Sequence, residues 1–427
     1  MENKLKVLWF TNTEVSQKSV QSSLNGDSRG WLTNLASTIY EDVDLHIAYV
    51  HPGKEVTGLG SIRNYHIQPS FYKLRLLLSW SIGVDPEGDL SCQMIKIIDD
   101  VQPDLIHIHG SEKQFINLIP RLEQKQVMVL VSLQGIMSVI AKKYTAAYTR
   151  EFMRLFVYSK GLSRTSLLPR TLSFNLKKFL KSAHREEKCL PNVDFFAGRT
   201  SWDHSISHLF NPESTYFHID RVLKPIYYDH CWSSFNLKSE TFSIHTTLSN
   251  SVYKGLDVIA EAAYLLGRSN LKFNWFVAGV DEKSWSVRAA RRKLGKRYPK
   301  DSIQLLGKLD ANSLVDNMLK CNLYVTASYI ENSPNNLAEA MLLGMPCIAT
   351  DVGGTSSYLQ NRHNGILVPP GDPYALAGYI RYMAENEELA ARFGSQARVD
   401  SLKRHDPKKV KETLLNTYRE IMKKRKI

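Results

Sequence analysis

The sequence predicts an α/β protein made of two doubly wound halves, each with a parallel sheet covered by helices. Short apolar runs rich in branched residues alternate with segments of helical period along most of the chain. This alternation is typical of parallel strands joined by crossover helices. The pattern is interrupted by a basic stretch and restarts near Thr241. Because a chain of 427 residues can hold two such halves, we expect the first to include the basic stretch and the second to begin near Thr241.

The first half opens with a predicted strand at residues 6–11, a loop that contains Gly26 and Gly30, and a helix over residues 31–40. Alternation and branched side chains predict four later strands in this half. They lie at residues 44–50, 104–110, 127–133 and 194–197.

The second half begins with a predicted strand at residues 243–247 and a turn at Lys254-Gly255. The helix that follows carries apolar residues on one face and ends at Gly267. A last helix is predicted from about Pro407. The remaining strands are predicted at residues 274–278, 303–306, 323–327 and 346–350.

Positive charge is concentrated in two stretches of the chain. Residues 142–188 hold twelve Lys and Arg against three Glu, and residues 403–427 hold ten against three acidic residues. In the first stretch the charges are interleaved with aromatic residues such as Tyr148, Phe152 and Phe156. Such stretches suit an anionic membrane surface, although a solvated basic surface has the same composition. Nucleic acid is not expected as a partner, because no nucleic-acid-binding motif is present.

Cysteine usage and apolar stretches indicate a cytoplasmic protein. The five cysteines are scattered and lack metal-ligand spacing, which favours a reducing compartment. No N-terminal segment has the basic start, apolar middle and cleavage site of a secretion signal. The longest apolar stretch, residues 127–141, is too short to cross a bilayer. We therefore expect a cytoplasmic protein, peripheral on the inner face of the cell membrane.

The most informative motif is the stretch of residues 331–350, ENSPNNLAEAMLLGMPCIAT. Glu331 precedes a predicted helix and Glu339 lies about one turn inside it. Ser333 is predicted as the N-cap and Pro334 as the first helical residue. The first-turn amides then suit a phosphate; they belong to Asn335, Asn336 and Leu337. An ordinary amphipathic helix with solvated glutamates would show the same local pattern.

The residues after this helix narrow the interpretation. A strand leads into a loop of small residues, then a turn, another strand and a helix opened by prolines. This run resembles the C-terminal signature of retaining nucleotide-sugar glycosyltransferases with the two-domain GT-B fold, with family 4 as the nearest group. The matching positions are Glu331, Glu339, Ala340, Met341, Gly344, Pro346, Gly353, Gly354 and Gly365.

The resemblance implies three structural parts. Residues 1–228 would form a Rossmann-like domain on the acceptor side, which includes the basic helical segment 142–188. Residues 229–406 would form the Rossmann-like domain that binds the nucleotide sugar. Residues 407–427 would form a helix that returns to the first domain. The two domains would face an interdomain cleft that holds both substrates.

The resemblance also implies roles for residues of the second domain. Glu331 would lie beside the donor sugar and its anomeric carbon as the catalytic carboxylate, and Glu339 would bind the nucleotide ribose. Lys254 matches the lysine that binds the donor diphosphate. The arginine usually found about five residues earlier is absent, so a cation such as Arg199 is expected to substitute for it.

In the first domain the resemblance is sparser. Gly30 corresponds to the glycine-rich turn beside the donor phosphate, and Arg199 lies in a segment, DFFAGRTSWD, that resembles bacterial capsule and surface-polysaccharide glycosyltransferases. His109 matches a histidine at a strand end, where a packed structural histidine is an equal alternative. Gln134 stands where many relatives have a histidine beside the donor sugar, and it cannot carry a titrating proton.

Together these residues predict a hexosyltransferase of bacterial surface-polysaccharide synthesis. It would move a hexose-type sugar from a nucleoside diphosphate to a glycan or polyprenyl-diphosphate-linked acceptor. No metal or other cofactor is expected, because no Asp-x-Asp motif ends a strand and no Walker or dinucleotide-binding motif is present. A sugar-nucleotide epimerase of related fold and a non-catalytic carbohydrate-binding or scaffold protein remain alternatives.

Overall fold

The computed structural model describes residues 4–12, 15, 30–50, 60–68, 90–145, 147–159, 170–234 and 240–424. Seven parallel strands form the first sheet. Their order across the sheet is Arg63–Ile67, Asp44–Val50, Lys6–Thr11, Leu105–His109, Met128–Ser132, Phe195–Gly198 and Thr215–His218. Six parallel strands form the second sheet. Their order is Ile303–Gly307, Phe273–Ala278, Phe242–Thr247, Leu323–Thr326, Cys347–Thr350 and Ile366–Val368.

Both sheets are doubly wound, because the strand order reverses at a central strand and helices join successive strands. This confirms the predicted α/β class with two Rossmann-like halves. Two edge strands of the first sheet, Arg63–Ile67 and Thr215–His218, were not predicted. Most of their residues are only partly buried, so their sequences lack the apolar pattern of a central strand.

Helices cover both faces of each sheet. The first-domain helices are Gly30–Ile39, Ser91–Val101, Ile119–Leu122, Met137–Lys143, Arg150–Leu155, Leu172–Cys189 and Ser201–Phe210. The short helix Pro225–Asp229 follows the last strand of the first sheet. The remaining helices are Leu256–Leu266, Trp285–Leu294, Ala311–Leu319, Asn335–Leu343, Pro373–Glu385, Glu387–Arg404 and Pro407–Lys424. None of the helices in the described ranges is long and apolar enough to span a bilayer.

The last helix, Pro407–Lys424, packs on the first sheet although it follows the second domain in sequence. Its apolar face shares a core with residues of strands Lys6–Thr11 and Leu105–His109. Tyr418 anchors the contact, since its hydroxyl accepts a hydrogen bond from Trp9 Nε1 at 2.9 Å and lies 2.8 Å from His107 Nδ1. The chain therefore crosses between the domains twice.

The basic segment 142–188 contacts the second domain through its aromatic residues. Tyr148, Phe152 and Phe156 belong to a small cluster with Tyr144 and Phe179, which we call the aromatic clasp. The clasp packs against second-domain residues that include Val252, Tyr253, Trp285 and Ala289. These aromatic residues therefore pack largely within the molecule, and the expectation that they contact a membrane is wrong.

Cations of helix Trp285–Leu294 lie over the rings of the clasp. The Lys293 ammonium is 5.3 Å from the Tyr148 ring centroid, and the Arg292 guanidinium is 5.7 Å from that of Phe152. Such cation–π contacts stabilise the contact between the two domains at a distance from the strand ends.

Candidate functional site

The second-domain side of the cleft is centred on a buried ion pair. Lys254 Nζ lies 2.5 Å from Glu331 Oε1, and the Ser328 hydroxyl donates to the same oxygen at 2.8 Å. Burial lowers the pKa of Lys254, but the charge of Glu331, the nearby Tyr253 and the hydrogen bond to Glu331 together outweigh it, so the pKa of the ammonium is raised overall. The pair is therefore a fixed arrangement of one cation and one anion.

Close backbone approaches place both members of this pair. Lys254 ends a 3-10 turn, and the next residue, Gly255, has φ +75° with its Cα against the carbonyl of Ala327. A Cβ at Gly255 would lie 1.9 Å from that oxygen, so only glycine fits. Gly354 contacts Asn332 in the same way and donates its N–H to the Glu331 carbonyl at 3.0 Å. The small residues of the motif thus fix Glu331 from behind.

The helix that follows Glu331 begins one residue later than predicted. It spans Asn335–Leu343, with Pro334 in the N-cap position and no side-chain cap. The prediction that Ser333 caps the helix and Pro334 is its first residue is therefore wrong. The Ser333 hydroxyl is buried and has no hydrogen-bond partner. Pro334 keeps an extended ψ of 104°, which carries the chain outward before the helix starts.

Asn335, Asn336 and Leu337 form the first turn of this helix, where two side chains tie it to its surroundings. Asn335 Oδ1 accepts a hydrogen bond from Arg221 Nη1. Asn336 Nδ2 donates to the Thr247 carbonyl at 2.6 Å, and its Oδ1 accepts from the amide of Leu337. The helix start is thereby fixed against the end of strand Phe242–Thr247.

Glu339 lies one turn deeper and faces a different set of groups. Burial raises its pKa to about 7, against the lowering influence of Lys224, a hydrogen bond with Tyr227 and the charge of Arg221. Glu339 is partly exposed. It does not share the Lys254–Glu331 pair, so the two glutamates of the motif act at separate points of the cleft.

Two arginines of the first domain stack on one indole ring. The guanidinium carbons of Arg221 and Arg199 lie 4.6 Å and 5.5 Å from the Trp31 ring. Arg199 Nη1 also donates to the Leu133 carbonyl at 3.1 Å. Burial, together with the neighbouring Arg199, lowers the pKa of Arg221 to about 9. Trp31 belongs to helix Gly30–Ile39, whose first residue is the predicted site residue Gly30.

A capping box explains the position of Arg199. Thr200 caps helix Ser201–Phe210, and the Asp203 carboxylate accepts hydrogen bonds from the amides of Arg199 and Thr200 at 3.1 and 3.2 Å. The segment in which the sequence placed Arg199 is therefore a strand end followed by a capped helix.

Asn332 joins the two domains directly beside Glu331. Its Nδ2 donates to the main-chain carbonyl of Gln134 at 3.1 Å, and its Oδ1 accepts from the Thr200 hydroxyl at 3.3 Å. The Gln134 loop and the Glu331 loop are thus in contact across the cleft.

His109 lies beneath the cleft and not on its surface. Its ring packs 3.8 Å from His107 and 4.4 Å from Trp9, and 1% of the residue is exposed. Both ring nitrogens lack a hydrogen-bond partner. Burial first, and then the charges of neighbouring residues, lowers the pKa of His109 far below its ordinary value, so the ring is neutral.

Part of the chain is similar to a known family of proteins. Residues 237–400 match the family described as Glycosyl transferases group 1. Two curated relatives are the N-acetyl-alpha-D-glucosaminyl L-malate synthase of Bacillus anthracis and the poly(ribitol-phosphate) alpha-N-acetylglucosaminyltransferase of Staphylococcus aureus. They are 27% identical over 161 residues and 30% identical over 97 residues, respectively. The matches cover 38% and 22% of this chain and 40% and 20% of the relatives, so the likeness spans less than half of each relative.

Solved structures resemble the whole chain at low sequence identity. Sucrose-phosphate synthase from Thermosynechococcus elongatus has a TM-score of 0.71 at 13% identity, with 98% of this chain and 99% of that chain covered. HepE from Anabaena, solved in complex with UDP, has a TM-score of 0.65 at 14% identity and coverages of 97% and 100%. These likenesses confirm the predicted GT-B fold, and the residues that match the family model lie in its second domain.

Several residues near the predicted site were not predicted from the sequence. Arg221 contacts the helix start at Asn335, and Tyr227 forms a hydrogen bond with Glu339. Both lie in the connection between the domains, where the sequence has no motif. Asn332 was detectable in principle, as a polar residue next to Glu331. Glu186 is fully buried on helix Leu172–Cys189 and accepts from the Ser111 hydroxyl at 2.6 Å. It was not predicted because it lies inside a stretch of basic residues.

The Glu186 carboxylate organises two loops of the first domain. Besides Ser111 it accepts from the amide of Ser138 at 2.9 Å, at the start of helix Met137–Lys143. Burial raises the pKa of Glu186 to about 7 against the lowering influence of these hydrogen bonds. In the described ranges no group of three or more His, Cys, Asp or Glu is arranged to hold a metal ion.

Proposed function

We propose that this protein is a retaining glycosyltransferase that moves a hexose-type sugar from a nucleoside diphosphate to a glycan or lipid-linked acceptor. The observation that carries the proposal is the buried Lys254–Glu331 pair, which adjoins both the helix start at Asn335 and the interdomain contact of Asn332. One cation for the leaving group and one carboxylate for the sugar lie where the two domains meet.

The cations around the helix start suit a diphosphate leaving group. Lys254 lies on one side, and Arg221 contacts Asn335 on the other. Arg199 stacks on the same indole as Arg221 and supplies the charge that the missing arginine of the motif would provide. Positive groups fixed in a water-poor site stabilise the negative charge that develops as the diphosphate leaves.

Glu331 suits the role of an electrostatic stabiliser. In the free protein its Oε1 is held by Lys254 and Ser328. When a diphosphate draws Lys254 away, the carboxylate is left to stabilise the positive charge that forms on the sugar ring. Acceptor attack on the face from which the diphosphate departs would then retain the anomeric configuration, without a covalent bond to Glu331.

The site and the relatives support the proposed donor and acceptor classes. Glu339 is placed to accept hydrogen bonds from ribose hydroxyls, and UDP-sugars are the first donors to test because HepE was solved with UDP. The Staphylococcus relative is named for glycosylating a polymer, which supports a surface polysaccharide or its lipid-linked precursor as acceptor. We propose that charge balance comes from protein cations and needs no metal.

A thermal-shift panel of nucleoside diphosphates and nucleotide sugars tests the donor site. A ligand that binds only the folded state raises the melting temperature. We expect a shift with one base, lost in Glu339→Ala and retained in the exposed control Glu388→Ala. No shift with any nucleotide at millimolar concentration would contradict the proposal. Products are then analysed by NMR, since a new nucleotide sugar formed without acceptor would indicate an epimerase.

We also propose that the basic segment 142–188 contacts an anionic membrane at the cytoplasmic face. The aromatic clasp packs against the second domain, but Leu155 and Leu180 of the same basic segment are 58% and 50% exposed. Apolar side chains surrounded by cations suit an anionic lipid surface. Sedimentation with phosphatidylglycerol vesicles tests this: binding should fall in Leu155→Asp/Leu180→Asp but not in Leu209→Asp, whose exposed leucine lies on helix Ser201–Phe210.

A further inference from the structure

Several buried polar atoms along the cleft have no hydrogen-bond partner. They include the Nε donors of Arg199 and Arg221, the Ser333 hydroxyl and the ring nitrogens of His109. Two more are acceptors that follow central strands of the first sheet, Oδ1 of Asn12 and Oε2 of Glu112. A buried polar atom without a partner costs free energy in the free protein, so each of these atoms marks a place that a ligand can satisfy.

The two acceptors belong to one small cluster. Asn12 follows strand Lys6–Thr11, and its Nδ2 donates to Glu112 Oε1 at 3.1 Å. This bond fixes the orientation of the amide, so that Asn12 can only accept at its other atom. Burial raises the pKa of Glu112, against the lowering influence of its own amide, of Lys113 and of the two arginines.

Glu112 lies where the first domain meets the second. The preceding residue, Ser111, donates its hydroxyl to the Gly135 carbonyl at 3.2 Å, next to the Gln134 carbonyl that Asn332 contacts. Glu112 therefore sits between the end of strand Lys6–Thr11 and the loop that touches the Glu331 side of the cleft. The charges of Arg199 and Arg221 reach it, but neither forms an ion pair with it among the described residues.

We propose that Asn12 and Glu112 bind two adjacent hydroxyl groups of the acceptor, and that the reacting end of the acceptor is a neutral sugar and not a phosphate group. This inference rests on the proposed function and narrows its acceptor class. A pair of neighbouring hydrogen-bond acceptors fits a vicinal diol of a pyranose, because each hydroxyl can donate one hydrogen bond.

The same cluster disfavours a phosphate. Phosphate oxygens accept hydrogen bonds and carry negative charge, so they would meet a carboxylate and an amide oxygen that offer no proton. The donors that suit a phosphate, Arg199 and Arg221, lie instead beside Asn335 at the donor side. A lipid-linked acceptor would then present a sugar to the cleft and keep its phosphates outside.

The experiment uses the full chain saturated with the nucleoside diphosphate that gives the largest thermal shift. Methyl pyranosides and dimethylallyl phosphate are titrated by isothermal calorimetry into wild type, Glu112→Gln, Glu112→Ala and Asn12→Ala. Glu123→Gln, an exposed glutamate of the same domain, is the matched control. The thermal shift with nucleotide alone reports whether each variant is folded and keeps its donor site.

We expect wild type to bind at least one methyl pyranoside and not the phosphate. Glu112→Gln should weaken binding of the pyranoside by about tenfold, since a hydrogen bond to a charged group is lost. The same variant should bind the phosphate more tightly. Removing either of the two adjacent hydroxyls from the pyranoside should weaken binding to wild type. Asn12→Ala should weaken binding of the pyranoside less than Glu112→Gln does, and the control variant should bind it as wild type does.

Three results would overturn the inference: stronger binding of the phosphate than of any pyranoside, no binding of any pyranoside, or unchanged pyranoside binding in Glu112→Gln. Each is read on protein that still binds nucleotide. Loss of all nucleotide binding in wild type would instead contradict the proposed function itself, so the two failures are distinguishable.

Discussion

The two faces of the cleft differ in how their polar groups are satisfied. On the second-domain face Lys254, Glu331 and Ser328 satisfy one another. On the first-domain face Asn12 and Glu112 leave acceptor atoms buried without partners. The first arrangement is complete before a ligand arrives, whereas the second is completed by one. This contrast underlies both proposals: an electrostatically preorganised donor side and an acceptor side that selects its ligand through unsatisfied groups.

The largest expected effect comes from breaking the preorganised side. Glu331→Gln should lower the rate of sugar transfer by about 10²- to 10³-fold, because a charge fixed for the transition state is lost. Nucleotide affinity should stay equal or rise, since Lys254 no longer has to leave a carboxylate. Nucleotide release from the donor sugar, followed together with the thermal shift, separates the two effects. A rate within threefold of wild type, the result expected of Glu388→Gln, would contradict the assignment.

A second prediction concerns how the first-domain face is supported. The folded-state pKa of Glu186 is about 7, above its ordinary value of 4.5. Its stabilising contribution is therefore complete below about pH 4.5 and is lost as the pH rises through 7. Between about pH 5 and pH 8 the free energy of unfolding, measured in urea, should fall by about 2 to 3 kcal/mol more in wild type than in Glu186→Gln. Equal losses in the two proteins would show that Glu186 is not the titrating group.

A third prediction tests whether the two faces are held together outside the cleft. Phe152 stacks on Phe156 at 5.4 Å and lies under Arg292. Phe152→Ala should lower the free energy of unfolding by about 1 to 2 kcal/mol, through lost stacking and cation–π contact. Leu155→Ala removes an exposed side chain of the same segment and serves as the control. Equal stability of the two variants would mean that the clasp does not stabilise the domain contact.

The smallest expected effect is the pH dependence of nucleotide binding that comes from the titration of Glu339. The pKa of this carboxyl is about 7, and only its ionised form accepts a hydrogen bond at both oxygens. Nucleotide affinity should therefore fall about threefold as the pH drops from about 8 to 6. Glu339→Gln removes this titration and leaves only that of the phosphate. Calorimetry at both pH values gives the difference, and parallel curves for the two proteins would assign the pH dependence to the phosphate alone.

The sequence predicts the second-domain face better than the first, for a physical reason. Glu331 and Glu339 come from one compact motif, and Lys254 comes from a separate Lys-Gly turn, so in both places local spacing carries the information. Arg221 and Glu112 reach the cleft only through tertiary packing, and neither belongs to a motif. Ser333 shows the limit even inside the motif, since local propensity favours it as a cap but the buried loop leaves its hydroxyl without a partner.

The same division holds for the fold. Central strands are buried on both faces and are read easily as apolar runs, whereas the edge strand Arg63–Ile67 is partly exposed and was missed. The role of the basic segment was predicted from charge and aromatic content alone. Composition does not predict that Phe152 and Phe156 pack against helix Trp285–Leu294, more than a hundred residues away in sequence.

The contact of Tyr418 with Trp9 also has a consequence for the order in which the protein folds during synthesis. These residues are 409 positions apart in sequence, so the first domain cannot complete its core until Tyr418 has left the ribosome. The second domain, continuous from Phe242, can fold before that moment. The domain made first is thus finished last, and until then its apolar face stays uncovered and prone to aggregation.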